Sequence, residues 1–160
     1  MADFEIAVEK TLVREGGAKV TEDPKDKGGL TKYGISQRSY PKVDIRALTK
    51  AQAKAIYKAD YWNKVRGDEI QSQAVAESIF DTAVNMGAKS ASRLVQEALG
   101  IPKPDGIIGP KSLEAINGQP EQLFLAEFTL GKIGRYVAIC GKDNTQERFL
   151  LGWIRRALEA

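Results

Sequence analysis

Phe4, Val8 and Leu12 recur at a spacing of four, with Ala7 and Thr11 beside them, which predicts a short helix with one apolar face. Gly16 and Gly17 stop it. From Ala18 to about Lys42 the periodicity is lost: Pro24 and Pro41, three glycines and the run TEDPKDKGG predict an extended loop or a short hairpin. Thr49 with Gln52 forms a capping box ahead of Ala53, Ile56 and Tyr57 on one face. Val75, Ala76, Ile79, Phe80, Ala83 and Val84 make a broad apolar stripe ending near Gly87, the pattern of a central buried helix. Ser90 is placed to cap the next helix, whose inner face is Ala91, Leu94, Val95, Ala98 and Leu99, with Gly100 as its stop.

Asp105-Gly106 and Gly109-Pro110 then mark a tight loop, with Pro110 suited to a first helical position. Leu123, Phe124, Phe128 and Ile133 continue the helical spacing, and Asn144 with Glu147 resembles a cap before Phe149, Leu150, Trp153, Ile154, Ala157 and Leu158. Strand-like alternation is scarce. The pattern predicts a mainly α fold with a small irregular or β-hairpin lobe near the N-terminus.

Composition narrows the chemistry. The chain has 160 residues, the length of one ordinary domain. It contains no histidine and a single cysteine, Cys140, which excludes Ser-His-Asp and Cys-His machinery, histidine-ligated zinc and any disulfide within the chain. Cys140 follows Val137, Ala138 and Ile139 and reads as a small buried hydrophobe. An enzyme of this composition moves protons with carboxylates, tyrosine, lysine or a bound metal, and carboxylates lead. The net charge of +3 is mild, and the densest basic spot is Arg155-Arg156 on a terminal helix. A nucleic-acid partner is not demanded, whereas a mildly cationic surface suits an anionic polymer such as cell wall. No apolar run approaches the roughly 20 residues that span a bilayer, so no stable membrane insertion is expected.

Glu15 occupies an unusual position, in the last turn of the first helix and directly before two glycines. The negative end of the helix dipole disfavours another negative charge there, which suits a glutamate that donates a proton to a sugar bond. The alternative is an ordinary exposed residue beside a glycine cap. The following loop carries Asp23, Asp26, Thr31 and Tyr33. A second carboxylate, helped by a hydroxyl, would hold a water on the opposite face of the sugar. Carboxyl pairs about 6.5–9.5 Å apart invert and pairs about 5–5.5 Å apart retain configuration, a distance that sequence does not supply. The alternative for Asp23 and Asp26 is turn chemistry. Gly28-Gly29 lacks the phosphate-loop spacing, and Gly29 instead lets the backbone approach a ligand. The aspartates do not continue into a calcium-loop pattern, and no metal is expected. Asp81 and Asn85 lie four apart on the central helix and share a face from which they could meet sugar hydroxyls or, equally, partners in the core. Tyr33, Tyr61 and Trp62 are candidate stacking faces for a sugar ring, with core packing as the alternative.

The run REGGAKVTEDPKDKGGLTKYGIS, Arg14 to Ser36, resembles the signature of glycoside hydrolase family 108, a family of phage endolysins and N-acetylmuramidases. The segment Phe80 to Asn117 resembles the peptidoglycan-binding region that accompanies it, and with Asp60 to Val65 the likeness covers most of the chain up to about Asn117. One departure is Ala18, where an aromatic residue commonly follows the two glycines.

The resemblance implies a lysozyme-like helical fold and hydrolysis of the β-1,4 bond between N-acetylmuramic acid and N-acetylglucosamine, without metal or organic cofactor. It carries the catalytic glutamate onto Glu15, leaves Asp26 and Thr31 as ranked candidates for its partner, and leaves Tyr33, Gly29, Tyr61, Trp62, Asp81 and Asn85 as candidate substrate contacts. The expected organisation is a single domain over 1–160, in which 1–70 form the catalytic lobe and 71–160 a helical lobe with a peptidoglycan-binding-like segment at 80–117. A basic segment and apolar core of a secretory signal are missing from MADFEIAVEKTLVREGG, so the expectation is a monomeric endolysin held in the host cytoplasm until a holin-type protein releases it to the wall. Two other readings are a lytic transglycosylase acting on the same bond and a non-catalytic peptidoglycan-binding module.

Overall fold

The computed structural model describes residues 1–22 and 29–159. Among them are seven α-helices: α1 (Phe4–Arg14), α2 (Lys50–Tyr57), α3 (Gln73–Met86), α4 (Ala88–Ala98), α5 (Pro110–Gly118), α6 (Glu121–Lys142) and α7 (Glu147–Glu159). Between α1 and α2 lies an antiparallel sheet of β1 (Thr21–Glu22), β2 (Leu30–Lys32) and β3 (Ile35–Ser36), in the order β1-β2-β3. The fold is mainly α with a small sheet lobe, as the apolar pattern predicts.

The core is organised around α3, which packs against α1, α4 and α6. Its expected stripe is buried except for the half-buried Val84, and Phe80 at its centre meets the rings of Phe4, Tyr57 and Trp62 edge-on, at centroid distances of 6.0, 6.3 and 5.4 Å. Trp62 lies in a π-helical turn, Lys58–Trp62, that extends α2. It is fully buried, its Nε1 donates to Asp68 Oδ1 at 2.7 Å, and Gly67 leaves no room beside its ring for even a β-carbon. Trp62 is therefore a core residue and offers no face to a sugar. Cys140 is buried, as expected.

Local signals place most helix ends. Gln52 N–H donates to Thr49 Oγ1 at 3.2 Å while Thr49 N–H donates to Gln52 Oε1 at 2.9 Å, completing the capping box, and Pro110 begins α5. Two expected caps are corrected. Ser90 lies inside α4, because Gly87, at φ 88° and ψ 144°, turns the chain in one residue and lets the next helix start at Ala88. Ahead of α7 the capping side chain is Asp143, which accepts from Thr145 N–H at 3.0 Å over a 3₁₀ turn, rather than Asn144. On α6 the buried face is Phe124, Phe128, Lys132, Tyr136 and Cys140, while Leu123 is exposed. The Asp105–Pro110 loop closes on Gln96, whose Nε2 donates to Asp105 Oδ1 and Ile107 O at 2.8 and 3.0 Å, while its Oε1 accepts from Gly106 N–H at 2.8 Å.

Candidate active site

The end of α1 is built by its glycines. Gly17 N–H donates to Leu12 O at 2.9 Å and Gly16 N–H to Val13 O at 3.2 Å, the paired bonds of a Schellman cap, with φ of 61° and 89° at the two glycines. Glu15 is thereby the cap residue, its side chain 22 % exposed. Gly17 O in turn accepts from Tyr33 N–H at 2.9 Å, which ties the sheet lobe to the helix end.

Tyr33 and Gly34 form the two-residue turn between β2 and β3, at φ 53° and 75°, with Lys32 paired to Ile35 across it. Positive φ at both central residues matches the right-handed twist of a hairpin. Tyr57 Oη donates to Tyr33 O at 2.8 Å and so holds the turn from the α2 side. A β-carbon on Gly34 would lie 2.5 Å from Tyr57 Oη and 2.7 Å from Glu15 Cβ, so this turn presses on the candidate acid itself. Gly34→Ala is expected to destabilise the protein by about 1–3 kcal/mol and to lower turnover, because both neighbours must move. Gly29→Ala is the comparison: φ is 70° there too, but the nearest atom to an added β-carbon is Gln37 Cβ at 3.6 Å. Melting curves of the two variants should separate backbone strain from the clash against Glu15.

Glu15 sits at one corner of an ion-pair cluster. Arg156 Nη2 donates to Glu15 Oε1 at 2.8 Å and to Asp81 Oδ1 at 3.0 Å, while its Nε donates to Asp81 Oδ2 at 3.0 Å. Arg14 Nη1 lies 3.0 Å from the same Asp81 Oδ1. Burial works against the Arg156 charge, yet the carboxylates of Asp81 and Glu15 hold its pKa above the ordinary value. Burial likewise pushes the Tyr57 phenol well above its usual range, with Glu15 adding to the shift, so Tyr57 is a fixed hydrogen-bond donor. The helix-end field expected at Glu15, about half a negative charge, is therefore opposed by a guanidinium in direct contact, a full positive one.

The other candidates separate into groups. Asp26 lies outside the described residues, as does Asp23. Thr31 is on β2, paired with Thr21 and Ser36, one strand position from the turn that covers Glu15. Tyr33 is part of that turn and so borders Glu15, while Tyr61 is one ring further out, packed against Tyr57 at a centroid distance of 5.7 Å. Asp81 is nearly buried and engaged by two guanidinium groups, which leaves its carboxylate supporting Arg156 instead of reaching outward. Asn85 Oδ1 accepts from Tyr136 Oη at 2.9 Å. Sequence reasoning noted Arg156 only as a basic spot and Tyr57 only as core, and it did not weigh Arg14 or Gly34. A cavity of about 690 Å³ between the end of α4 and the middle of α6, lined by Glu97, Leu99, Gln119, Glu127 and Leu130 among others, contains none of these residues. The candidate acid lies where α1, α3, α7 and the hairpin meet.

The model of the family described as "Glycosyl hydrolase 108" matches residues 8–87, and that described as "Predicted Peptidoglycan domain" matches residues 90–158. Among solved structures, SagA of Brucella abortus superposes with a TM-score of 0.73 at 29 % identity, covering 98 % of this chain and 94 % of that one. No curated protein matches. The peptidoglycan-domain match starts at Ser90 and runs on into α7, well past the Asn117 limit suggested by sequence resemblance.

Proposed function

Because this chain belongs to the glycosyl hydrolase 108 family, we propose that it hydrolyses the β-1,4 bond between N-acetylmuramic acid and N-acetylglucosamine, with Glu15 as the proton donor. At the coarser level, it is a glycoside hydrolase whose partner is peptidoglycan. The observation that carries the finer reading is the mounting of Glu15. The capped helix end fixes its backbone, the Tyr33-Gly34 turn packs against its Cβ and Cγ, and Arg156 binds its carboxyl, while the side chain remains partly exposed. A carboxyl so constrained suits proton transfer to a bound oxygen, where orientation matters most.

In this mechanism the Glu15 proton passes to the glycosidic oxygen as the bond to muramic acid C1 breaks and positive charge develops at C1. A water adds at C1 and gives up its proton to a base. Asp26, aided by Thr31, is the proposed base, and Tyr33, Gly29 and Tyr61 are proposed to line the sugar path. Neither metal nor organic cofactor enters the scheme. The biological setting we propose is that of a monomeric phage endolysin, acting from residues 1–160 as one unit and reaching the wall after holin-type release from the host cytoplasm. No described helix is long and apolar enough to cross a membrane.

Mass analysis of fragments from digested sacculi tests the reaction. Hydrolysis is expected to release saccharides that end in reducible muramic acid, each heavier by one water than the corresponding anhydro product. Anhydro-muramic ends would replace the proposal with a lytic transglycosylase, in which the muramic 6-hydroxyl attacks C1. Pelleting with sacculi without release of any reducing sugar would leave only a binding module.

A further inference from the structure

The residue that grips Glu15 comes from the far end of the chain. Glu15 and Asp81 fall in the segment matched by the hydrolase family, whereas Arg156 falls in the segment matched by the peptidoglycan-domain family. We infer that α7 completes the catalytic site: Arg156 is a positioning residue that holds the Glu15 carboxyl while Asp81 fixes the guanidinium. The inference rests on the reading of Glu15 as the proton donor and extends it to the second matched region, which becomes part of the reaction centre as well as a means of holding the wall.

Three features support this assignment. The first is geometric: one planar guanidinium spans two carboxylates, binding Asp81 through Nε and Nη2 and Glu15 through Nη2, with contacts of 2.8–3.0 Å. A fork of fixed geometry transmits the position of one carboxylate to the other, which a single flexible ammonium does not do. The second is burial. The Asp81 side chain is 5 % exposed and bears a second guanidinium, that of Arg14 at 3.0 Å, so the anchor of the fork is itself immobilised. The third is the thin apolar attachment of α7. Ala157 is its one buried residue among those described, and Leu151 and Leu158 are exposed. Its aromatic contacts run along its own helix and to α6, where Trp153 stacks on Tyr136 at 5.2 Å and on Phe149 at 5.8 Å. The last turn of α7 is instead drawn to the end of α1 by polar bonds: Arg156 to Glu15, and Arg14 Nη2 to Glu159 O at 3.1 Å. Apolar packing places α7 beside α6; the ion pairs place its end at the acid.

The test uses the whole chain on soluble glycan fragments of peptidoglycan, with Arg156→Ala and Arg156→Lys beside Glu15→Gln. Misplacing a catalytic group by about an ångström costs up to about 100-fold, so Arg156→Ala is expected to lower kcat by about 10- to 100-fold. KM should stay within about twofold and pelleting with insoluble peptidoglycan should be unchanged, since the residue acts on the acid and not on the wall. Arg156→Lys should restore only part of the loss, because it keeps the charge but not the bridge. In a Glu15→Gln background, Arg156→Ala should cost nothing further, as expected of two groups acting as one unit. A folded Arg156→Ala variant with full kcat overturns the inference, and so does a variant with unchanged kcat but weakened pelleting. Should Arg156→Ala fail to fold, Arg156→Lys decides: a native melting curve with full kcat overturns the inference, and with reduced kcat supports it. If Glu15→Gln remains active, the proton-donor reading itself falls and takes this one with it; if Glu15→Gln is dead and Arg156→Ala is not, only the role of α7 is lost.

Discussion

Glu15→Gln is expected to lower peptidoglycan hydrolysis by roughly 10²- to 10⁴-fold, the usual contribution of a general acid, while the protein stays folded. The substitution is nearly isosteric. Its amide oxygen can still accept from Arg156 Nη2, and the Asp81 bonds to Arg14 and Arg156 do not involve the replaced group. What disappears is the capacity to deliver a proton. The stability cost should be small because the Glu15–Arg156 pair is partly exposed on both sides, at 22 % and 23 %. Pairs of that kind contribute about 1 kcal/mol or less, a shift of a few degrees in melting temperature for a domain of this size. Turnover on sacculi, a melting curve and a pelleting assay run together make the prediction sharp: lost turnover, near-native melting, retained pelleting. Activity within threefold of the native protein would remove Glu15 from the mechanism.

Short-range physics explains which parts of this arrangement were legible beforehand. The faces of α1 and α3 follow from apolar spacing, and the stop after α1 follows from two glycines whose positive φ closes the Schellman bonds. The position of Glu15 at the helix end could therefore be read directly. Its surroundings could not. Tyr33 adopts φ 53°, a conformation its own side chain disfavours, because Gly17 O and Tyr57 Oη pin the turn from both sides. Arg156 lies 141 residues from the carboxylate it binds, and no local pattern connects them. Asp81 and Asn85 were visible as a shared face, but the distant partners that turn them inward, Arg14, Arg156 and Tyr136, were not. Trp62 shows the same limit in reverse: an aromatic beside a candidate site in sequence lies wholly within the core. On α6 the apolar spacing of Leu123, Phe124, Phe128 and Ile133 places the two phenylalanines correctly, but Leu123 is exposed and Ile133 only half-buried. The buried register instead runs through Lys132, which apolar patterning passes over.

That lysine yields the second large effect, on stability. Lys132 is 2 % exposed; its Nζ lies 3.3 Å from Ser78 Oγ and 5.2 Å from the centroid of the Phe128 ring. The charged groups facing it are Asp81 from α3, Arg14 at the end of α1 and Arg156 from α7. Burial pulls its pKa from 10.5 down to about 8; Asp81 opposes the shift, and the two arginines add to it. Between pH 8 and 10.5 the unfolded chain therefore binds more protons than the folded one, and stability rises with pH through that window. Below pH 8 the charged lysine imposes its full cost, about 3 kcal/mol for a displacement of this size. Methionine fits a similar unbranched space without the charge. Loss of the bond to Ser78 and imperfect packing would remove about 1 kcal/mol of the gain. Lys132→Met is thus expected to be more stable than the native protein by about 2 kcal/mol near pH 6.5, with the advantage shrinking from pH 8 upward, gone by about pH 10 and reversed by roughly 1 kcal/mol at higher pH, where only the packing loss remains. Urea unfolding of both proteins across pH 6–11 measures the difference at each point, and background titrations common to the two chains cancel. A difference that stays flat with pH, or one that widens above pH 8, would mean that the ammonium is not destabilised by its surroundings. A closing difference would show that a buried positive charge is tolerated behind Asp81 even though Arg14 and Arg156 already neutralise that carboxylate.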